Sequence, residues 1–109
     1  METKVASASK EVIIGDNQPT VLIGERINPT GKEKLTEALK AGDMEIVRKE
    51  ALAQVQAGAD MLDVNVGAFG VDEVSLLPKA VKVVMETVDV PLCLDSSNPD
   101  AMEAALKVY

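Results

Sequence analysis

The chain of 109 residues contains no histidine, no tryptophan and a single cysteine, Cys93. The lack of histidine removes the commonest general base and the commonest zinc ligand. One cysteine can form neither an internal disulfide nor a cysteine-cluster metal site. Any chemistry must therefore use carboxylates, amides, hydroxyls or backbone groups, and no protein-bound metal is expected.

Aromatic and basic residues are also scarce. The chain has one Tyr and one Phe, and 11 Lys plus Arg stand against 18 Asp plus Glu, which gives a formal net charge of -7. Such a chain repels polyphosphate backbones and has no aromatic platform on which bases could stack. The same charge disfavours anionic membrane surfaces. Neither nucleic acid nor membrane is an expected partner.

Long apolar runs are missing as well. No segment approaches the roughly 18 apolar residues that a membrane span needs, and residues 1–10 lack the hydrophobic segment of a signal peptide. With 47% hydrophobic and 27% charged residues, the composition is that of a globular protein. We expect a cytoplasmic protein of one domain or part of one.

The first half of the chain predicts a hairpin and two helices. Residues 1–10 have no periodic apolar pattern and are expected to be disordered. Glu11–Ile14 and Thr20–Ile27 are β-rich and flank a cluster of turn formers, which predicts that they pair as a hairpin. Helices are predicted over Lys32–Ala41 and Met44–Ala57, each followed by glycine.

The second half alternates strands with helices. Strands are predicted over Ala59–Val66 and Val90–Ser96. Between them a helix follows the Gly67–Asp72 loop, with Pro78 in its first turn. A last helix is predicted after Asn98, an N-cap residue that proline follows.

Strands that alternate with helices indicate βαβ units and a parallel sheet. We predict an α/β fold over residues 11–109: a hairpin and the first three units of a TIM-type (β/α)8 barrel. Such a barrel needs about 250 residues, so the chain is expected to end before the barrel closes. A doubly wound sheet is the alternative, although its usual G-x-G-x-x-G turn is missing.

Polar residues occupy the C-terminal end of each predicted barrel strand, the rim where active sites of such barrels form. Strand alternation predicts that three of them, Glu25, Asn65 and Asp95, converge around one small ligand rich in N–H donors. The alternative is that these polar residues form ion pairs with Lys or Arg from elsewhere in the barrel. The full set is Glu25, Asn28, Asp63, Asn65, Asp95 and Ser96.

The same alternation assigns the other face of the strands. Leu62, Val64 and Val66, with Leu92 and Leu94, are expected to pack under the helices. Cys93 is interpreted as a small buried core residue, because no histidine is available to activate it.

Three ordered motifs carry a family resemblance. They are Ile23-Gly24-Glu25-Arg26-Ile27-Asn28-Pro29-Thr30-Gly31, Leu62-Asp63-Val64-Asn65-Val66-Gly67 and Leu92-Cys93-Leu94-Asp95-Ser96-Ser97-Asn98. Together they closely resemble the methyltetrahydrofolate:corrinoid methyltransferases. The folate domain of cobalamin-dependent methionine synthase is similar, and dihydropteroate synthase is a more distant relative.

The resemblance implies a barrel whose C-terminal mouth holds a pterin ring. It implies that Asp95 hydrogen-bonds the pterin ring nitrogens, and that Glu25 and Asn28 shape the end of the pocket where the methyl group is transferred. Asn28 is accordingly the candidate catalytic residue. Asp63 and Asn65 are expected to line the pocket, and Ser96 joins them as a substrate-binding candidate.

The implied reaction moves the N5-methyl group of methyltetrahydrofolate to the cobalt of a corrinoid, a cobalamin, that a partner protein carries. The departing amine needs a proton or a hydrogen bond. Complete members of the family are expected to be homodimers. A condensation like that of dihydropteroate synthase and a non-catalytic pterin-binding or assembly module are the alternatives. The Gly-Glu-Arg-Ile-Asn sequence at residues 24–28 favours methyl transfer.

Overall fold

An antiparallel hairpin opens the chain in the computed structural model, which describes residues 1–109. Strand β1 (Glu2–Ala6) and strand β2 (Glu11–Gly15) pair along their whole length. The turn between them closes with a hydrogen bond of 2.8 Å from the Ser7 N–H to the Lys10 carbonyl. The prediction of a disordered N-terminus was therefore wrong.

The predicted pairing of Glu11–Ile14 with Thr20–Ile27 was wrong too, because β1 takes the edge of β2. Contacts distant in sequence secure β1. The Tyr109 hydroxyl donates to the Ala6 carbonyl at 2.9 Å and accepts from the Leu92 N–H at 2.9 Å. A contact between residues 103 positions apart cannot be predicted from a local apolar pattern.

A three-stranded parallel sheet follows the hairpin. Its strands are β3 (Ile23–Ile27), β4 (Met61–Val64) and β5 (Leu92–Leu94), in that spatial order. The helices are α1 (Glu33–Lys40), α2 (Glu45–Gln56), α3 (Glu73–Thr87) and α4 (Pro99–Leu106). From β2 onward the predicted order of strands and helices is confirmed, with bounds that shift by a few residues. The domain is a mixed α/β fold with a hairpin and a parallel sheet.

Two helix starts illustrate how capping sets these bounds. The Asn98 side chain accepts hydrogen bonds from the N–H groups of Asp100 and Ala101 at 3.0 and 3.2 Å, so α4 begins at Pro99 as predicted. Helix α3 begins at Glu73, directly after the predicted loop, because the Asp72 side chain accepts from the Ser75 N–H. Pro78 therefore lies inside α3 and not in its first turn.

One face of the sheet packs against the helices and forms the core. Leu62, Val64 and Val66 are completely buried there, and Leu92 is nearly so, as the alternation predicts. Their neighbours in the core are aliphatic side chains of all four helices: Leu35, Leu39, Val47, Ala51, Leu77, Ala80, Val81, Val84, Ala101 and Ala105. No helix of the chain is long and apolar enough to cross a membrane.

The opposite face of the sheet, which we call the open face, carries Ile23, Glu25, Met61, Asp63, Cys93 and Asp95. Its outer strands expose their side chains: Glu25, Cys93 and Asp95 are all exposed, and Ile23 is 44% exposed. In the central strand Met61 and Asp63 are buried at 4% and 6%. The predicted burial of Cys93 was wrong, because no packing layer of this chain covers β5 on that side.

Candidate functional site

The parallel register places the strand-end residues side by side. Asp63 lies opposite Cys93, and Val64 lies opposite Leu94. Just beyond the strands, the Asp95 N–H donates to the Val64 carbonyl at 3.0 Å, and the Asn65 N–H donates to the Ile27 carbonyl at 2.9 Å. These bonds continue the ladder to the rim and bring Asn65 and Asp95 to the same end of the sheet.

Three carboxylates, those of Glu25, Asp63 and Asp95, gather on the open face around the Cys93 thiol. Burial is the main cause that raises the pKa of Asp63 to about 6. A hydrogen bond with Asp95 and the charges of Asp95 and Glu25 raise this pKa further, while a hydrogen bond with Cys93 partly offsets the rise. A carboxyl with this pKa keeps a proton into the mildly acidic range and can donate it to a neighbouring carboxylate.

The Cys93 thiol is held in its protonated form by the same neighbours. Partial burial raises the pKa of Cys93, and the hydrogen bond and charge of Asp63 add to this, followed by the charges of Asp95 and Glu25. Thiolates are stabilised by positive surroundings, and these are negative. The negative charge around Cys93 therefore opposes its activation as a nucleophile, in addition to the absence of histidine.

No basic side chain neutralises the cluster. The four ion pairs in the chain join Arg26 to Glu50 and link three pairs of residues along single helices: Lys40 with Glu37, Arg48 with Glu45 and Lys107 with Glu103. Glu25, Asp63 and Asp95 take part in none of them. Carboxylates without a cation are suited to accept hydrogen bonds from a ligand that supplies N–H groups.

A hollow of about 370 Å³ lies at the ends of the strands, and none of the three carboxylates lines it. Two of the predicted residues line it. The Ser96 hydroxyl donates to Glu73 Oε1 at 2.9 Å, and Asn65 Oδ1 accepts from the Gly67 N–H at 2.7 Å. This volume is at the lower end for pockets that hold small organic ligands. The lining residues are Asn65, Gly67, Ala68, Phe69, Glu73, Ser96 and Ser97.

Asn28 lies apart from that hollow, in the loop after β3. Its Oδ1 accepts a hydrogen bond from the Thr30 N–H at 3.0 Å, the pattern of an Asx turn. Its side-chain amide group donates no hydrogen bond within the chain and is free for a ligand. The structure therefore divides the predicted residues into an acidic cluster, a rim hollow and this loop.

Sequence reasoning missed Glu73 and Phe69. Glu73 opens α3 and accepts the Ser96 hydroxyl, and Phe69 in the loop after β4 is 97% exposed beside the hollow. The available signals were an acidic residue in the first turn of a helix and the sole Phe of the chain in a glycine-rich loop.

A second hollow, of about 310 Å³, lies on the helix side of the sheet and holds none of the predicted site residues. Arg26 lines it, but Arg26 Nε lies 3.0 Å from Glu50 Oε2 in an ion pair that neutralises its charge. The other lining residues are Lys32, Glu33, Lys34, Leu35 and Ile46. The open face and its rim are therefore the stronger candidate site.

Comparison with known proteins identifies the family of the chain. Residues 24–109 match the family model described as "Pterin binding enzyme". Over 87 residues the chain is 34% identical to a methylcorrinoid:tetrahydrofolate methyltransferase from Eubacterium limosum, which covers 77% of this chain and 31% of the relative. Over 106 residues it is 27% identical to methionine synthase from Mycobacterium tuberculosis, which covers 97% of this chain and 9% of that protein. The chain spans about a third of the first relative and about a tenth of the second.

Proposed function

Because the chain belongs to the family of pterin binding enzymes, we propose that it binds the pterin ring of methyltetrahydrofolate on its open face. In a complete TIM-type barrel, of which its three strand-helix units form one side, the bound N5-methyl group passes to the cobalt of a corrinoid on a partner protein. The observation that carries the proposal is the meeting of Glu25, Asp63 and Asp95 without a neutralising cation.

The chemistry of this cluster matches the edge of a pterin. The amino-pyrimidinone edge offers paired N–H donors, and an ionised carboxylate accepts such pairs through strong, charge-assisted hydrogen bonds. Asp95 is exposed at the rim and takes this role. Below its pKa of about 6, Asp63 is protonated and donates to Asp95, and the charges of Asp95 and Glu25 remain on the open face.

The remaining predicted residues are assigned to the outer part of the pocket. Asn65 and Ser96 line the rim hollow, where the ring substituents extend, and Glu25 borders the cluster from β3. Asn28, with its free amide group, hydrogen-bonds the N5 region of the ligand and assists departure of the amine, the step that needs a proton or a hydrogen bond.

The two relatives favour methyl transfer over a condensation of the dihydropteroate synthase kind. Both relatives, a methylcorrinoid:tetrahydrofolate methyltransferase and a methionine synthase, carry names from methyl-group chemistry. The corrinoid would reside on a partner, and this chain contributes the folate side of the reaction. A homodimer of complete barrels is part of the same proposal.

Isothermal titration with methyltetrahydrofolate tests the binding step. We expect saturable heat with the wild-type chain and about tenfold or greater weakening in Asp95→Asn, because hydrogen bonds to a charged group contribute about 1.5–3 kcal/mol. Asp16→Asn, which removes an equal charge from the turn after β2, is the matched control and should bind like the wild type. Absence of heat at millimolar ligand, or equal weakening in both variants, contradicts the proposal.

A further inference from the structure

The pairing of β3 with β4 contains a β-bulge. Ile23 lies opposite Met61 and Gly24 opposite Leu62, but the next pair is Ile27 with Val64. Two residues of β3, Glu25 and Arg26, therefore stand against one residue of β4. Bulges of this kind redirect side chains and are common beside active sites.

The bulge changes which residues of β3 share a face. In a regular strand, residues three apart such as Glu25 and Asn28 point to opposite faces. Here Ile27 takes the phase of its partner Val64, and both are completely buried on the helix side. By strand alternation the next residue, Asn28, then lies opposite Asn65 and points to the open face, as Glu25 does. The bulge is thus what permits Glu25 and Asn28 to serve one site.

Gln54 of α2 satisfies the backbone group that the bulge frees. Its Oε1 accepts from the Arg26 N–H at 3.0 Å, and its Nε2 donates to the Glu50 carbonyl at 3.1 Å, which fixes the orientation of the amide. The side chain is only 6% exposed. An unpaired N–H in such a place would cost about 1–3 kcal/mol.

Gly24 provides the space for this amide. A Cβ at position 24 would lie 2.4 Å from Gln54 Oε1 and 2.9 Å from Leu62 Cδ2. The glycine and the glutamine are therefore complementary parts of one arrangement, in which α2 approaches β3 closely enough for a side chain to reach its backbone.

We propose that Gln54 is a positioning residue: by holding the β3 bulge it places Glu25 and Asn28 on the same side of the sheet, at the candidate ligand site. It touches no ligand itself. The part of this proposal that concerns the bulge depends on the geometry alone, and the part that concerns the ligand rests on the proposed pterin function.

Amide hydrogen exchange followed by NMR on the complete chain tests the bulge. In Gln54→Met, which keeps the side-chain volume but lacks the acceptor, the Arg26 amide should exchange about tenfold faster or more, relative to core amides such as that of Val64, since one hydrogen bond is lost. Gln54→Glu retains an acceptor oxygen for the Arg26 N–H but lacks the donor to the Glu50 carbonyl, and should restore part of the protection. Gln56→Met, at an exposed glutamine of the same helix, is the control and should leave Arg26 unchanged.

Equal exchange of the Arg26 amide in the wild type and in Gln54→Met overturns the proposal. If Gln54→Met does not fold, the exchange rate of the Arg26 amide in the wild type tests the proposal instead. This amide should exchange at least about tenfold more slowly than that of the exposed Gly31, after correction for intrinsic rates. Similar rates at the two sites count against Gln54 as the holder of the bulge.

Titration with methyltetrahydrofolate tests the consequence for the site. Gln54→Met should bind methyltetrahydrofolate about tenfold more weakly than Gln56→Met does, and Gln54→Glu should recover affinity for it. If the wild type binds and Gln54→Met binds equally well, the positioning role fails although the pterin function stands. If the wild type gives no heat, the pterin function fails, and the exchange rates of Arg26 still decide whether Gln54 holds the bulge.

Discussion

The two faces of the three-stranded sheet are built from alternate residues of the same strands and yet differ in almost every property. On the helix side, Leu62 and Val64 are completely buried and Leu92 is 7% exposed. On the open face, Glu25, Cys93 and Asp95 are exposed and carry polar groups. Only the central strand departs from this contrast, since Asp63 is buried between its neighbours.

The difference separates stability from chemistry. Apolar side chains against four helices provide the hydrophobic free energy that offsets the loss of chain entropy. Carboxylates crowded together repel one another and need a partner. Because the helix side holds the domain together, the open face can keep an acidic cluster that would destabilise a core.

The largest predicted effect compares one apolar residue from each face. Leu62→Ala should lower the free energy of unfolding by about 2–4 kcal/mol, because it removes a completely buried side chain and leaves a cavity. Ile23→Ala, at a side chain 44% exposed on the open face, should cost less than about 1.5 kcal/mol. Urea denaturation at pH 7 measures both values.

If Ile23→Ala lowered the free energy of unfolding by more than the value given above, something would cover the open face in solution, such as a second copy of the chain. Repeating the measurement at several protein concentrations separates these cases, because stability that depends on association rises with concentration. Equal and small costs for both substitutions would contradict the assignment of the core to the helix side.

The second prediction concerns the contact between α2 and β3. Gly24→Ala should lower the free energy of unfolding by about 1–3 kcal/mol, because the new methyl group overpacks against Gln54 and Leu62. Gly31→Ala is a revealing comparison: its φ of 69° is unfavourable for alanine, but no atom lies within 4 Å of the added Cβ. In the double variant Gly24→Ala with Gln54→Ala, we expect part of the lost stability to return, and strict additivity would argue against the contact.

Much of the helix side could be predicted from the sequence. The period of Leu62, Val64 and Val66 identified the buried face of β4, and Asn98 with Pro99 fixed the start of α4. Gly42 and Gly58 follow α1 and α2 with φ of 74° and 106°, a conformation that glycine adopts freely. Each of these signals is local, which is why a sequence carries it.

The errors arose where distant contacts decide the structure. Strand β1 depends on pairing with β2 and on Tyr109, and neither is visible in the polar sequence of residues 1–10. Cys93 lies in an apolar strand, but its exposure depends on whether another layer covers the open face. The bulge in β3 was equally invisible, because an irregular pair is a property of two strands together.

The third prediction tests the buried member of the open face. The folded-state pKa of Asp63 is raised from 3.8 to about 6, chiefly by burial. Between these two values the folded chain binds more protons at this residue than the unfolded chain does. Its contribution to stability is therefore complete below about pH 4 and is lost as the pH rises through about 6.

Asp63→Asn removes this dependence and keeps a donor for Asp95. The difference in unfolding free energy between Asp63→Asn and the wild type should shift in favour of the variant between pH 4 and pH 7. We expect a shift on the order of 1 kcal/mol, because water on the open face screens the charges. Asp16→Asn, far from the cluster, provides the baseline in the same buffers. A difference that stays constant over this range would show that Asp63 titrates as an ordinary exposed carboxyl.

The smallest predicted effect is on the reactivity of Cys93, which reports on the acidic cluster without changing the fold. The side chain is exposed, but the raised pKa of its thiol lowers the thiolate fraction at neutral pH. Alkylation by iodoacetamide at pH 7.5 should be roughly threefold to tenfold slower in the folded chain than in urea. Asp63→Asn should accelerate it in the folded chain, because Asp63 contributes most among the charges that oppose ionisation, whereas Asp16→Asn should not. Acceleration by Asp63→Asn in urea as well would locate the effect in the unfolded chain and not on the open face. A folded chain that reacts as fast as the unfolded one would mean that the carboxylates do not gather around the thiol, and the contrast between the two faces would then be one of packing alone.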